Sequence, residues 1–260
     1  MDTPFFSNIE LRFLDEGALR HQVENIIFSV EGKYEVIEVV SQSEKSIVCF
    51  AVDIRTGREV VIKKYLEADG FENEKAGYLL FRGGPISDLI EVLPGDGILI
   101  LSKVDGSYFY PSEENLERAI HSYAWLHARA ISNIRQACAS KMDIVVDCCW
   151  SELEADSHEC QAISVGDVKS EHLLMSGDKF VIVDLETYSF GRSVWFDILS
   201  LGRYKNLRRI FLDRLHFIVE LYCSYRNIPT ECYDFKKIEN YLTALQNQEK
   251  FHPVFWEGML

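Results

Sequence analysis

The first third of the chain contains short apolar-rich runs separated by polar residues, a pattern typical of β-strands. Tyr34–Val40, Ile47–Ile54 and Glu59–Tyr65 are rich in β-branched and aromatic residues. The Thr-Gly pair at 56–57 predicts a hairpin turn between the second and third runs. Together these segments predict three consecutive strands of an antiparallel sheet.

The next segments predict one helix and two more strands. In Glu72–Phe81, apolar residues at Ala76, Leu79 and Leu80 fit one face of a helix. Strands are predicted at Leu89–Leu93 and Ile98–Leu101, with a Pro-Gly-Asp-Gly turn between them. Residues 1–30 indicate helix and loop. The N-terminal part is therefore expected to be a sheet of five strands with one helix inserted.

After Gly106 the pattern becomes mainly helical. Ser112 is a predicted N-cap, and apolar residues recur at three- and four-residue steps through Glu114–Ile134. His127 falls on the same apolar face, where a core histidine with a hydrogen-bond partner is expected. A short buried strand is predicted at Phe180–Leu185, and helices from Trp195 to the end of the chain.

These segments predict an α+β fold with two lobes, an N-terminal antiparallel sheet with one helix and a mainly helical C-terminal lobe. The predicted domains are residues 1–103, of which 1–30 form a helical extension, and residues 104–260. The linker is expected near Ser102–Gly106.

Charge and composition exclude several classes of protein. The formal net charge is −14, so a general nucleic-acid binder, which needs a basic face, is not expected. The N-terminus lacks the pattern of a signal peptide and no long apolar run is present, which predicts a cytoplasmic protein without a membrane partner. Cys148, Cys149, His158 and Cys160 are close in sequence, but their spacing matches no established zinc pattern.

The segment Gly166–Asp184 carries the most informative polar residues. Asp167 is predicted in a turn, and Asp184 at the end of the buried strand that follows. Two carboxylates in this order suit phosphoryl transfer, because one accepts the proton of the attacking hydroxyl and the other holds Mg²⁺ against nucleotide phosphates. Lys63 on the third strand would neutralise phosphate oxygens, with Glu74 on the following helix holding it and Glu72 as the rival partner.

Seven segments, in this order, resemble the motifs of the protein-kinase-like superfamily, most closely its aminoglycoside phosphotransferase and choline kinase branch. They are VVIK at 60–63, Glu74 in ENEKAGYLL, LILSKVDG at 99–106, AWLHA at 124–128, GDVKSEHLL at 166–174, VDLE at 183–186 and WFDI at 195–198.

The resemblance implies roles for individual residues. Asp167 and Lys169 would be catalytic, and Asp184 would bind Mg²⁺, while Asp197 would brace the catalytic loop. A further set would contact ATP or GTP through phosphate or adenine, namely Lys63, Glu74, Ser41, Ser43, Val61, Leu101, Ser102, Lys103 and Val104.

Two departures from the family pattern concern the metal and the phosphates. His172 stands where a metal-binding Asn is usual, and imidazole suits Mg²⁺ poorly, so His172 is either an altered ligand or a structural residue. The phosphate-covering loop at 41–46 contains no glycine. Both features favour an alternative, a pseudokinase that binds without turnover. Lys169, in turn, favours an atypical protein kinase.

The sequence favours a small-molecule acceptor over a protein acceptor. No activation segment closed by an Ala-Pro-Glu-like signal follows Asp184. Residues 142–166 hold six acidic residues and no Lys or Arg, which is the composition either of a wall that attracts a cationic substrate or of a solvated surface. The expected function is ATP-dependent phosphorylation of a hydroxyl on a small cationic molecule, such as an aminoglycoside or a basic peptide antibiotic.

Overall fold

The chain divides into two compact units. The structure is a computed structural model that describes residues 14–140, 163–166, 168–189 and 193–247. The first unit comprises the described residues up to Tyr78 together with Ser87–Val104, and the second comprises Leu79–Ile86 and the described residues from Asp105 onward.

The first unit is a five-stranded antiparallel sheet with two helices. The strands run in the order β1-β2-β3-β5-β4, so β3 occupies the centre. The predicted fold class is confirmed, because the sheet with its inserted helix precedes a mainly helical part. The elements are α1 (Glu16–Val30), β1 (Tyr34–Gln42), β2 (Ser46–Asp53), β3 (Glu59–Tyr65), α2 (Ala68–Leu80), β4 (Leu89–Leu93) and β5 (Ile98–Ser102).

Helix α1 covers one face of this sheet. The helix begins after Asp15, whose side chain accepts a hydrogen bond from the amide of Ala18 at 2.8 Å. Ile26 and Val30 are buried in the same cluster as Val60 and Ile62 of β3. Because side chains alternate along a strand, Val61 and Lys63 project from the opposite face of β3.

The first and last strands in the sheet order, β1 and β4, form its edges. The pairing of β1 with β2 shifts register between Val36 and Glu38 and again between Val39 and Ser41. The pairing of β4 with β5 shifts between Leu89 and Glu91. Both edges therefore carry irregularities that the three inner strands lack in their own pairings.

The buried face of α2 agrees only in part with the predicted one. Leu80 is buried as expected, but Leu79, placed on the same face from sequence, is exposed. The other large buried side chains of this helix are Phe71, Glu74 and Tyr78. The helix begins at Ala68, four residues earlier than predicted, so that Phe71 belongs to it. Spacing from Phe71 then brings Glu74 and Tyr78 onto the inward face.

The second unit is mainly helical, with one small sheet. Helix α3 begins after Ser112, whose hydroxyl accepts from the amide of Asn115 at 3.2 Å, which confirms the predicted cap. The elements are β6 (Ser107–Tyr108), α3 (Glu113–Ser140), β7 (Leu173–Ser176), β8 (Lys179–Ile182), α4 (Trp195–Ser200), α5 (Lys205–Asp213), α6 (Leu215–Arg226) and α7 (Phe235–Asn247).

Two predicted elements of this unit have different bounds. Helix α3 continues six residues beyond the predicted end at Ile134. Strand β8 ends at Ile182 and not at Leu185, because its partner strand β7 begins at Leu173 and the residues before it, Ser170–His172, form a single helical turn. Among the described ranges, no helix combines the length and the apolar character that a membrane span requires.

Candidate active site

Lys63 and Glu74 form a buried ion pair in the first unit. The Lys63 ammonium lies 2.5 Å from the Glu74 carboxylate, and neither side chain is more than one tenth exposed. The hydroxyl of Tyr65 donates to the same carboxylate oxygen. Glu72, the rival partner, is mostly exposed and pairs with Lys75. Glu74 is therefore the carboxylate that holds Lys63, as expected from sequence.

The neighbouring lysine has a different environment. Lys64 follows Lys63 on β3 and so projects from the other face of the sheet, where its ammonium donates to the carbonyl oxygen of Asp96. Lys63 is therefore the buried lysine of β3, and Lys64 is the more exposed one.

The residues predicted to contact adenine lie on β3, on β5 and in the two positions directly after β5. Val61 is directly opposite Leu101 in the pairing of these strands. The amide of Ser102 donates to the carbonyl oxygen of Asp88, and its hydroxyl accepts from the amide of Asp88 at 2.8 Å. The side chain of Lys103 is paired with Glu59 at 3.0 Å. Val104 ends the first unit.

The turn between β1 and β2 uses its serine hydroxyl internally. The hydroxyl of Ser43 accepts from the amides of Lys45 and Ser46, at 3.2 and 3.1 Å. Two amides of the predicted phosphate-covering loop therefore have a partner within the turn. Ser41 is exposed and lies opposite Val48 in the pairing of β1 with β2.

Asp184 and His172 lie side by side in the second unit. Nε2 of His172 is 3.5 Å from Oδ2 of Asp184, and the amide of Glu186 approaches Oδ1 of Asp184 at 3.3 Å. Carboxylate oxygens of Asp184 and Glu186 lie within 4.8 Å of each other. This pair suits Mg²⁺, a hard cation that prefers oxygen ligands, whereas the imidazole of His172 does not.

The predicted catalytic loop is described on both sides of its central residue. Asp167 itself lies outside the described residues, as does most of the acidic segment 142–166 and the whole group of Cys148, Cys149, His158 and Cys160. Lys169 is half-buried, and its carbonyl oxygen accepts from the amide of His172 at 3.1 Å.

Asp197 binds the segment that precedes Asp167. Its Oδ1 accepts from the hydroxyl of Ser164 at 2.9 Å and from the amide of Gly166 at 2.8 Å. Its Oδ2 accepts from the amide of Val165 at 2.7 Å and contacts Nε2 of His127 at 2.9 Å. Asp197 is fully buried. The expected bracing of this segment by Asp197 is therefore present in its contacts.

His127 is a buried histidine with two partners, as predicted. Its Nδ1 lies 2.8 Å from the hydroxyl of Tyr222, on the side opposite Asp197. Burial lowers the pKa of His127 below its ordinary value of 6.5, against the opposing effect of Asp197. Burial likewise raises the pKa of Tyr222 well above 10. Both groups are therefore neutral near pH 7.

Four residues of these clusters were missed from the sequence. Ser164 and Tyr222 belong to no motif, and only their contacts identify them. Glu186 could have been found, since it stands two residues after Asp184 within the VDLE segment. Tyr65 could also have been found, because it lies two residues after Lys63 on the same face of β3.

Solved structures of an aminoglycoside phosphotransferase are similar to most of this chain. The crystal structure of aminoglycoside phosphotransferase APH(4)-Ia matches 92% of this chain and 96% of its own, with 13% identity and a TM-score of 0.47. A thermostable mutant of that enzyme, in ternary complex with AMP-PNP and hygromycin B, matches the same shares at 13% identity with a TM-score of 0.49. No protein-family model matches the chain, and no curated protein matches its sequence.

Proposed function

We propose that this protein is an ATP-dependent O-phosphotransferase that acts on a small, cationic alcohol. The observation that carries the proposal is the buried pair of Lys63 and Glu74. Burying an ammonium and a carboxylate costs several kcal/mol of desolvation per ion, by order of magnitude, so such a pair is weak evidence for stability. A buried lysine held by a helix carboxylate is instead the arrangement that kinases use to bind nucleotide phosphates.

The remaining roles are nucleotide binding, metal binding and catalysis. Val61, which is partly exposed, and Leu101 opposite it would pack against adenine, and Lys63 would offer positive charge to the phosphates. Asp184 would hold Mg²⁺, with Glu186 as a second carboxylate. When bound, the metal supplies positive charge that offsets the charge developing on the transferred phosphoryl group. Asp167 would accept the proton of the acceptor hydroxyl, and Lys169 would meet the transferred phosphate.

A cationic acceptor is supported by charge. The chain carries 41 acidic and 27 basic residues, and the acidic segment 142–166 concentrates this excess. A surface of one sign raises the local concentration of the opposite ion. The dependence of acceptor KM on salt therefore tests this part of the proposal, because added salt screens exposed charges.

The test is phosphotransfer from ATP and from GTP to a panel of acceptors, comprising aminoglycosides, basic peptides, choline and neutral sugars. We expect phosphorylation of at least one cationic alcohol, with a KM that rises with ionic strength. Asp184→Asn should lower kcat/KM by roughly a hundredfold or more, because metal stabilisation of the transferring group is worth several kcal/mol.

Asp178→Asn is the matched control. Asp178 is exposed in the turn between β7 and β8, a few residues before Asp184, and its substitution should leave turnover within about twofold. Nucleotide binding without transfer to any acceptor would instead favour the pseudokinase alternative, and equal losses in both variants would remove the metal role from Asp184.

A further inference from the structure

Helix α6 contributes one hydroxyl to the buried cluster around Asp197. Tyr222 is fully buried, and its oxygen lies 2.8 Å from Nδ1 of His127. On its other side the same oxygen accepts from Nη1 of Arg226 at 3.0 Å, one turn further along α6. Tyr222 also has a hydrogen bond with Tyr233. A phenol that is held from several sides has a fixed orientation.

The direction of each hydrogen bond follows from counting protons. An ionised carboxylate only accepts, and Asp197 already accepts from a hydroxyl and two amides. Nε2 of His127 must therefore carry a proton, which it donates to Asp197. Because burial keeps His127 neutral, Nδ1 carries a lone pair and needs a donor. Tyr222 supplies that donor, so its single proton points at His127.

The far end of this series of hydrogen bonds is main chain. Val165 and Gly166 donate their amides to Asp197, and the carbonyl oxygen of Val165 accepts from the hydroxyl of Thr187 at 3.2 Å. The main chain that leads into Asp167 is thus fixed through both its donors and its acceptors. Asp197 can hold this main chain in one place only if its own neighbours, His127 included, are fixed.

We propose that Tyr222 is a positioning residue, whose hydroxyl fixes the orientation of the His127 imidazole and, through Asp197, the main chain of residues 164–166 next to Asp167. The inference rests on the proposed function, because the position of that main chain matters for turnover only if Asp167 takes part in phosphotransfer. Tyr222 touches neither acceptor nor nucleotide in this proposal, and it acts through two other side chains.

The test compares Tyr222→Phe with Tyr225→Phe. The first removes a single oxygen and keeps the ring, whose centroid lies 5.0 Å from the centroid of the Trp195 ring. The second removes the hydroxyl of a half-exposed tyrosine three residues later on the same helix. Rates are expressed per nucleotide-binding site, so that a loss of folded protein does not count as a loss of kcat.

For Tyr222→Phe we expect kcat to fall about tenfold while KM for the nucleotide stays within about twofold, a split that simple destabilisation does not produce. In nitrogen-15 NMR spectra, the Nδ1 signal of His127 and the amide signals of Val165 and Gly166 should move. Tyr225→Phe should leave kcat and these signals unchanged.

The NMR signals separate failure of this inference from failure of the proposed function. They report on the contacts of Asp197 even if no acceptor is phosphorylated. Unchanged signals in Tyr222→Phe would overturn the positioning role, and so would changed signals with an unchanged kcat. Should Tyr222→Phe fold poorly, Arg226→Met removes the donor to the Tyr222 oxygen, and the same shifts are expected at smaller amplitude. Their absence would overturn the inference equally.

Discussion

Among the described residues, each unit holds one fully buried carboxylate, and the hydrogen-bond donors identified for the two carboxylates differ in kind. In the first unit, Oε2 of Glu74 accepts from two side chains, the ammonium of Lys63 and the hydroxyl of Tyr65. Asp197 in the second unit accepts from two main-chain amides as well as from side chains. Side-chain partners can be substituted together with the carboxylate. Main-chain donors remain after any substitution, so the second unit should tolerate loss of its carboxylate less well.

The largest effect is expected for Asp197→Ala. The substitution leaves the amides of Val165 and Gly166, the hydroxyl of Ser164 and Nε2 of His127 buried without their acceptor. Since each unsatisfied buried donor costs about 1–3 kcal/mol, the free energy of unfolding should fall by at least about 4 kcal/mol. Urea unfolding followed by circular dichroism measures this loss, and Asp178→Ala, at an exposed position, should change it by less than about 0.5 kcal/mol. A small loss in Asp197→Ala would show that other acceptors reach these donors.

The pair in the first unit should behave differently in a double-mutant cycle. Lys63→Met alone leaves a buried carboxylate without its cation, and should lower the free energy of unfolding by about 3 kcal/mol. Adding Glu74→Gln removes the charge but keeps an acceptor for the hydroxyl of Tyr65, so the double variant should regain most of the loss. If the double variant is no more stable than Lys63→Met, the contrast between the two units is wrong.

The smallest effect concerns pH and the second unit alone. The pKa of His127 is lowered in the folded protein and ordinary, near 6.5, in the unfolded chain. Below pH 6.5 the unfolded chain binds a proton that the folded protein does not. The contribution of His127 to stability is therefore full above that pH and is lost as the pH falls, by at most about 1.4 kcal/mol per pH unit.

His127→Gln should remove this part of the pH dependence, while its side-chain amide can still donate to Asp197. His21→Gln is the control, because His21 is exposed on α1 and its loss should leave the slope unchanged. Urea unfolding between pH 5.5 and 8 gives the slopes, and an undiminished slope in His127→Gln would mean that another group takes up the proton.

The same contrast shows which contacts of the candidate site could be predicted from the sequence. Lys63 and Glu74 are 11 positions apart on consecutive elements, and strand alternation with helical spacing is enough to bring them together. His127 lies 70 positions from Asp197 and 95 from Tyr222. The apolar face of α3 predicted that His127 is buried and bonded, but no local periodicity names partners so distant. In the sequence, nothing distinguishes Tyr222 from other core tyrosines. Only the contact of its hydroxyl with His127 in the structure does so.

Errors in the predicted elements have a related cause. The face of α2 was predicted for a helix that begins at Glu72, so Phe71 was not counted among its inward residues. Phe71 belongs to the helix and is buried, and the ion pair with Lys63 allows Glu74 to be buried as well. The predicted end of β8 was late because its partner strand β7 begins only at Leu173, and the local sequence of β8 does not show where a partner strand begins. Local propensity predicted that these helices and strands exist, whereas contacts with neighbouring elements decided where they end and which face is buried.

The irregular edges of the first unit's sheet have a consequence for behaviour at high concentration. Strand β1 exposes Ile37, Val39 and Val40, and a straight edge with such side chains is a template on which another chain can add a strand. Its two register shifts bend this edge and interrupt the row of groups that an added strand would need. Glu35 and Glu38 place negative charge along it, and two copies of the edge would repel each other. The bulges therefore act against sheet-to-sheet aggregation, at a point where apolar side chains alone would promote it.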